Sequence, residues 1–290
     1  MSETLHVGLI QMKISRDTDK NIDLFRERAT ALCNDPRRPH LIVGVEFGIA
    51  PECIEDPNGP AMQRLGRLAA ELGVWLVPGS LKMAEANGKF SNGAPVFDPS
   101  GTLAGIYRKM VPWDTDLEKG TIPGQDYHVF DITDPDVRFG LQICFDADFP
   151  EISRTLTLMG AEILIQLSMD PDSIPPSYQH IKYARAIENQ AYYIYMNGAC
   201  DYGHHHLGGG SLVISPEGDC IFEAGENPTS TIVSLDLDRL RHCRRHGSWD
   251  QVAQLQALRE YAPGQPRAGL EPKSEVFQRS PFSEQEHEKT

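Results

Sequence analysis

Several features are scarce or missing in this 290-residue chain. None of the six cysteines, Cys33, Cys53, Cys144, Cys200, Cys220 and Cys243, forms a C-x-x-C pair, so no paired-cysteine redox or zinc motif is present. No apolar run is long enough to span a bilayer. The opening MSETLHVGLIQM lacks the basic start and long apolar stretch of a signal peptide. The expected location is therefore cytoplasmic, with free thiols rather than disulfides. Positive charge is also short: 27 Lys and Arg stand against 41 Asp and Glu, a net charge of −14 with His neutral. That balance argues against nucleic acid or an anionic membrane surface as a partner. It leaves a small substrate open, because a local pocket can oppose the global field.

What remains is an ordinary apolar fraction on a chain long enough to bury a sizeable core. LHVGLIQM, HLIVGVE, VWLVPGSL, VRFGLQIC, AEILIQLS and YYIYMNGA read as strands, several of them continuous β-rich runs of the kind buried on both faces. Helices are expected between them. DTDKNIDLFRERATALCN has Asp17 or Thr18 as a cap and Ile22, Phe25, Ala29 and Leu32 at helical spacing. Residues 61–72 look helical, and PEISRTLTLMG has Pro150 near its first turn and Gly160 past its end. HIKYARAIENQA places Ile181, Ala184, Ile187 and Ala191 on one face. Two hairpins echo each other, APVFDPSGTLAGIYRK and GSLVISPEGDCIFEAG, each turning on a Pro–x–Gly. The echo suggests two similar halves. Buried strands, helices and antiparallel hairpins together imply a layered α/β fold with mixed sheets. No linker interrupts residues 1–260, so one domain is expected there. Residues 261–290 are polar and rich in Pro and Gly, and read as a C-terminal arm or tail.

Candidate chemistry centres on LQICFDADFPE, residues 141–151. Cys144 ends a buried strand just before a helix. It is either a core thiol, the commoner fate of a free cysteine, or a nucleophile held at a strand-to-helix turn. A nearby helix N-terminus would favour its thiolate. Glu46, at the end of LIVGVE, is either a solvent-facing acid or a desolvated base. Lys109, at the end of GIYRK, is either an ordinary exposed lysine or a functional cation. His204, His205 and His206 lie in a Gly-rich loop, where a polar loop is the plainer reading than a metal site.

Glu, Lys and Cys, in that order at three strand ends, resemble the nitrilase superfamily of carbon–nitrogen hydrolases. The likeness covers roughly residues 5 to 260. ICFDADFPE is similar to the family's nucleophile motif and YRK to its lysine motif, while VEFG stands where the family usually has Pro-Glu. YARAIENQAYYIYMNGA and LGGGSLVISPEGD resemble its later helix–strand unit and hairpin. KMVPWDTDLEKGTIPGQDYHVFD is similar to a loop of aliphatic amidases and formamidases that carries a second glutamate, which falls on Glu118, with Asp114 and Asp116 nearby.

This resemblance implies a four-layer α-β-β-α sandwich and an amidase acting through a thioester. Cys144 would be the nucleophile, Glu46 the base, Lys109 and the Phe145 N–H the oxyanion donors, and Glu118 the group that positions the substrate amide. It implies a small amide substrate, no metal and no organic cofactor. It also implies a homodimer or higher homo-oligomer through helices near 150–160 and 178–191. Trp113, Met169, Tyr178 and the His204–His206 loop are the expected pocket walls. Other branches of the superfamily, nitrilase or N-carbamoyl amidohydrolase, would share the core residues. The carbamoyl branch would need a cation such as Arg138, Arg154 or Arg185 for its substrate's carboxylate. A catalytically silent ligand-binding scaffold is the alternative of another class.

Overall fold

Local chemistry sets the boundaries of the elements. In the computed structural model, which describes residues 3–251 together with 254 and 255, strand β1 (Thr4–Gln11) leads into helix α1 (Thr18–Cys33). The Asp17 carboxylate caps α1 by accepting from the N–H groups of Asp19 and Lys20, and Ile22, Phe25, Ala29 and Leu32 form its buried stripe. Strand β2 (Leu41–Glu55), helix α2 (Pro60–Leu72), strand β3 (Trp75–Ala84) and the hairpin of β4 (Phe90–Phe97) and β5 (Leu103–Arg108) follow. Next come β6 (Val129–Thr133), β7 (Asp136–Ile143), a 3-10 turn over Cys144–Asp148, and α3 (Pro150–Leu158). Then β8 (Ile163–Ser168), α4 (Gln179–Asn189) and β9 (Tyr192–Asn197) complete a second set of buried strands and helices. A small hairpin of β10 (Ala199–Tyr202) and β11 (His205–Gly208) precedes the hairpin of β12 (Leu212–Ile214) and β13 (Cys220–Glu223). Strand β14 (Thr229–Asp236) and helix α5 (Leu237–His246) close the sequence of elements. The arm expected over 261–290 lies outside the described residues.

Two six-stranded sheets result, ordered β14-β1-β2-β3-β4-β5 and β13-β12-β9-β8-β7-β6. Each has three parallel central strands, β1-β2-β3 and β7-β8-β9. Each continues antiparallel into one of the echoed hairpins, β4-β5 or β12-β13. The Pro–x–Gly repeat in the sequence thus marks equivalent sheet edges. Helices α1 and α2 cover the first sheet, and α3 and α4 cover the second. The sheets face one another, with β2 against β8 and β9; one apolar cluster joins both sheets to α1 and α2, and another joins the second sheet to α3 and α4. The four layers therefore run α-β-β-α.

Helix α4 departs from expectation. Its buried residues are Lys182, Arg185, Ala186 and Asn189, while Ala184 is exposed. The apolar spacing read from the sequence is displaced because three polar side chains are held inward by specific partners. Arg185 donates to the Ala147 carbonyl, Asn189 to the Arg185 carbonyl, and Lys182 faces Asp170.

Candidate active site

The C-terminal ends of the parallel strands converge, which is where open α/β sheets bind ligands. On the first sheet, β2 does not stop at Glu46 as expected but runs on to Glu55, interrupted by a bulge. Val45 pairs with Gly79 and pairing resumes at Ala50 with Leu81, so residues 46–49 face Ser80 alone. A glycine is needed at 79, because a Cβ there would lie 2.2 Å from the Val45 carbonyl oxygen and φ is +121°. Phe47 takes a left-handed φ of 51°, held by its N–H donating to Ser80 Oγ at 2.9 Å. The bulge turns Glu46 into the interior, where it is 2% exposed.

Lys109 directly follows β5 and is also buried, at 1% exposure. Its ammonium donates to Glu46 Oε1 at 2.9 Å and to Glu118 Oε2 at 2.8 Å. Asn92 bridges the same two acids, its Nδ2 donating to Glu46 Oε1 at 2.9 Å and Glu118 Oε1 at 2.8 Å. The Trp113 N–H adds a third donor to Glu118, at 2.6 Å. Glu118 is buried, whereas its neighbours in the loop, Asp114 and Asp116, are exposed.

On the second sheet, Cys144 opens the turn after β7 with φ +48°, a strained conformation for a residue with a Cβ. Asp146 ties this elbow to the lysine loop. Its buried carboxylate accepts from the N–H groups of Ile143, Met110 and Val111 and from the Tyr107 hydroxyl. Burial still pushes its carboxyl up to about 6, against the pull of Lys109 and these donors. Phe145 is the second residue of the turn, whose first N–H groups have no partner within the turn.

The electrostatics correct one expectation. Helix α3 does not make Cys144 a resting thiolate. Burial pushes the thiol well above its ordinary value, with Glu46 and Asp170 adding to the rise and Lys109 opposing it. Lys109 behaves differently: burial pulls it down, but Glu46, Cys144 and Glu118 outweigh burial and hold it firmly charged. Two carboxylates share this one ammonium, so one of them takes up a proton easily. Burial, opposed by Lys109 and reinforced by Glu118, raises Glu46 to about 7. The site can therefore do base-assisted thiol chemistry near neutral pH.

A cavity of about 390 Å³ opens at the thiol. Trp113, Phe145 and Tyr178 line it, along with Gln166, Asp148, Asp170 and Lys182. Met169 instead packs on the main core, and its neighbour Asp170 reaches the cavity. The His204–His206 loop is also outside the lining; His206 pairs with Asp201 on an exposed hairpin. Arg138, Arg154 and Arg185 do not line the cavity either. The sequence reading missed Asn92, Asp146 and Asp170. Asp170 had a signal, an acid two residues after the buried run ILIQLS in a parallel strand.

A profile of the carbon–nitrogen hydrolase family matches residues 6–245. The omega-amidase NIT2 of Xenopus tropicalis is 31% identical, over 82% of this chain and 91% of that protein. An (R)-stereoselective amidase of a Pseudomonas species is 34% identical, over 66% of this chain and 68% of that one. Among solved structures, Saccharomyces cerevisiae Nit3, a member of branch 10 of the nitrilase superfamily, shares the fold. It has a TM-score of 0.78 at 24% identity, covering 84% of this chain and 94% of its own.

Proposed function

The chain belongs to the carbon–nitrogen hydrolase family, and we propose that it is an amidase that converts a small amide to a carboxylic acid and ammonia through a thioester on Cys144. One observation carries the reading: a buried neutral thiol opens on a small cavity beside a Glu–Lys–Glu cluster whose base is poised near neutrality. Glu46 accepts the thiol proton, and the sulfur attacks the carbonyl carbon. The developing oxyanion is stabilised by the Lys109 ammonium and the Phe145 N–H. Glu46 returns its proton to the departing nitrogen, and ammonia leaves. Water then loses a proton to Glu46 and attacks the thioester, freeing the acid and the thiol. Glu118, held by Lys109, Asn92 and Trp113, accepts from the substrate amide N–H.

The arginines support the amidase branch over the carbamoyl one. Arg185 is spent on the Ala147 and Asp148 carbonyls and Glu188, Arg154 on the Glu188 carbonyl, and Arg138 on Asp131. A homo-oligomer belongs to the same reading, supported by the exposed apolar Phe149, Leu158 and Met159 around α3. So does a cytoplasmic setting, supported by six unpaired cysteines. No helix among the described residues is long and apolar enough to cross a membrane.

The test is ammonia release from short amides, nitriles and N-carbamoyl compounds, with wild type and Cys144→Ala compared. Release from amides that needs Cys144 is the expected result. Release confined to nitriles or carbamoyl compounds would move the branch. The same assay carries a pH prediction. Glu46 must be ionised to act as base, and its carboxyl lies at about 7. The kcat/KM for a neutral amide should therefore fall about tenfold per unit below pH 7 and level off above it. That limb belongs to the coupled cluster rather than to one group. A flat profile from pH 5 to 8 would remove Glu46 as the base.

A further inference from the structure

One acid on the cavity wall has no role in the steps above. Asp170 lies just beyond β8, and Asn197 clamps its backbone. The Asp170 N–H donates to Asn197 Oδ1 at 2.8 Å, and its carbonyl accepts from Asn197 Nδ2 at 3.2 Å. Its carboxylate oxygens are served unequally. Oδ2 accepts from the Tyr195 hydroxyl at 2.8 Å and has the Lys182 ammonium 3.9 Å away. Oδ1 has, among the described residues, only the Cys144 thiol at 3.2 Å. A thiol is a weak donor. A largely buried carboxylate oxygen with only a weak donor is a strong attraction for any better one.

The charges around it select the kind of donor. The cavity lining holds two carboxylates, Asp148 and Asp170, and one cation among the described residues, Lys182. That cation is already committed, 3.6 Å over the Tyr195 ring and facing Asp170, and burial lowers its pKa. The lining is thus net negative, in a chain of net charge −14. An anionic substrate group would be repelled here and a cationic one attracted. A donor bonded to Oδ1 sits within a few ångströms of Sγ. It must be carried on a carbon very near the one under attack.

We propose that Asp170 is a specificity residue that binds a protonated amine one or two carbons from the scissile carbonyl, so that the preferred substrates are amides of α- or β-amino acids. The proposal rests on the amidase reading of Cys144. The substrate ammonium takes over Oδ1 from the thiol. The thiol, released from that acceptor, passes its proton to Glu46.

Binding to the Cys144→Ala protein tests this without hydrolysis. Calorimetry would compare alaninamide with 2-methylpropanamide, in which a methyl replaces the ammonium, at pH 7, where the amine is mainly protonated. Alaninamide is expected to bind at least about tenfold more tightly. In Cys144→Ala/Asp170→Asn the ratio should fall to about one, and in Cys144→Ala/Asp170→Glu, which keeps the charge, a preference should survive. Equal affinities, no alaninamide binding at millimolar concentration, or a preference that persists in the Asn variant would each overturn the proposal. Wild-type protein that releases no ammonia from these or any other short amide would sink the amidase reading instead, and the calorimetric ratio would still decide Asp170.

Discussion

Replacing Cys144 by alanine is expected to lower kcat for amide hydrolysis by about 10⁴-fold or more, since the step it removes is the covalent one. Serine should fare little better. Glu46, the proposed base, has its carboxyl raised to about 7, matched to a thiol already pushed up by burial, and an alcohol is harder still to ionise. Neither change should unfold the protein. Alanine deletes a single sulfur from a wall that opens on a cavity, and it keeps the Cβ at the strained φ of +48°. Melting curves beside the kinetics separate the two effects. Residual activity within tenfold of wild type would move the nucleophile elsewhere.

Lys109→Ala should produce the largest loss of stability. It strands two carboxylates, each 3% exposed by side chain, which now share one ammonium 1% exposed. Removing one partner from a buried ion pair costs about 3–5 kcal/mol, because the remaining charge has neither water nor a counter-ion. In a chain of this size the melting temperature should drop by on the order of ten degrees. Without the cation, Glu46 loses the charge that opposes burial, and its carboxyl would rise further above about 7. The loss should then be smaller at pH 5.5, where Glu46 is protonated, than at pH 8. Lys109→Ala/Glu118→Gln should recover part of the stability and none of the activity, since the proposed oxyanion donor is still missing. A single variant that melts within a degree or two of wild type would show that the cluster is not held as described.

Much of this was legible in the sequence. The parallel strands announced themselves as continuous β-rich runs, and the DPSG and SPEG hairpins marked matching sheet edges. Asp17 capped α1 and Pro150 opened α3 as their chemistry dictates. Cys144, Lys109, Glu46 and Glu118 stood out through their order and surrounding motifs, and the fold brings the lysine and both glutamates into hydrogen-bond contact. The rest was hidden for identifiable reasons. The bulge at residues 46–49 depends on pairing with Ser80 and Gly79 in another strand. The buried face of α4 is polar, so apolar periodicity placed it wrongly. Asn92 and Asp146 serve by bridging loops far apart in sequence, a role no local pattern reports. The thiol's resting state depends on its burial, which a helix N-terminus nearby in sequence does not reveal.

The most direct test of the central claim is the mass of the enzyme caught in turnover. Wild type and Glu46→Gln would be mixed with a short amide, quenched in acid within milliseconds to seconds, and measured intact and after digestion. The account predicts, in wild type, a mass gain equal to the substrate's acyl group less one hydrogen, mapped to Cys144, and in Glu46→Gln a much slower gain at the same residue, because the base that takes the thiol proton is missing. Ammonia released in a single turnover with no acyl group on Cys144, or with the group on another cysteine, would contradict it.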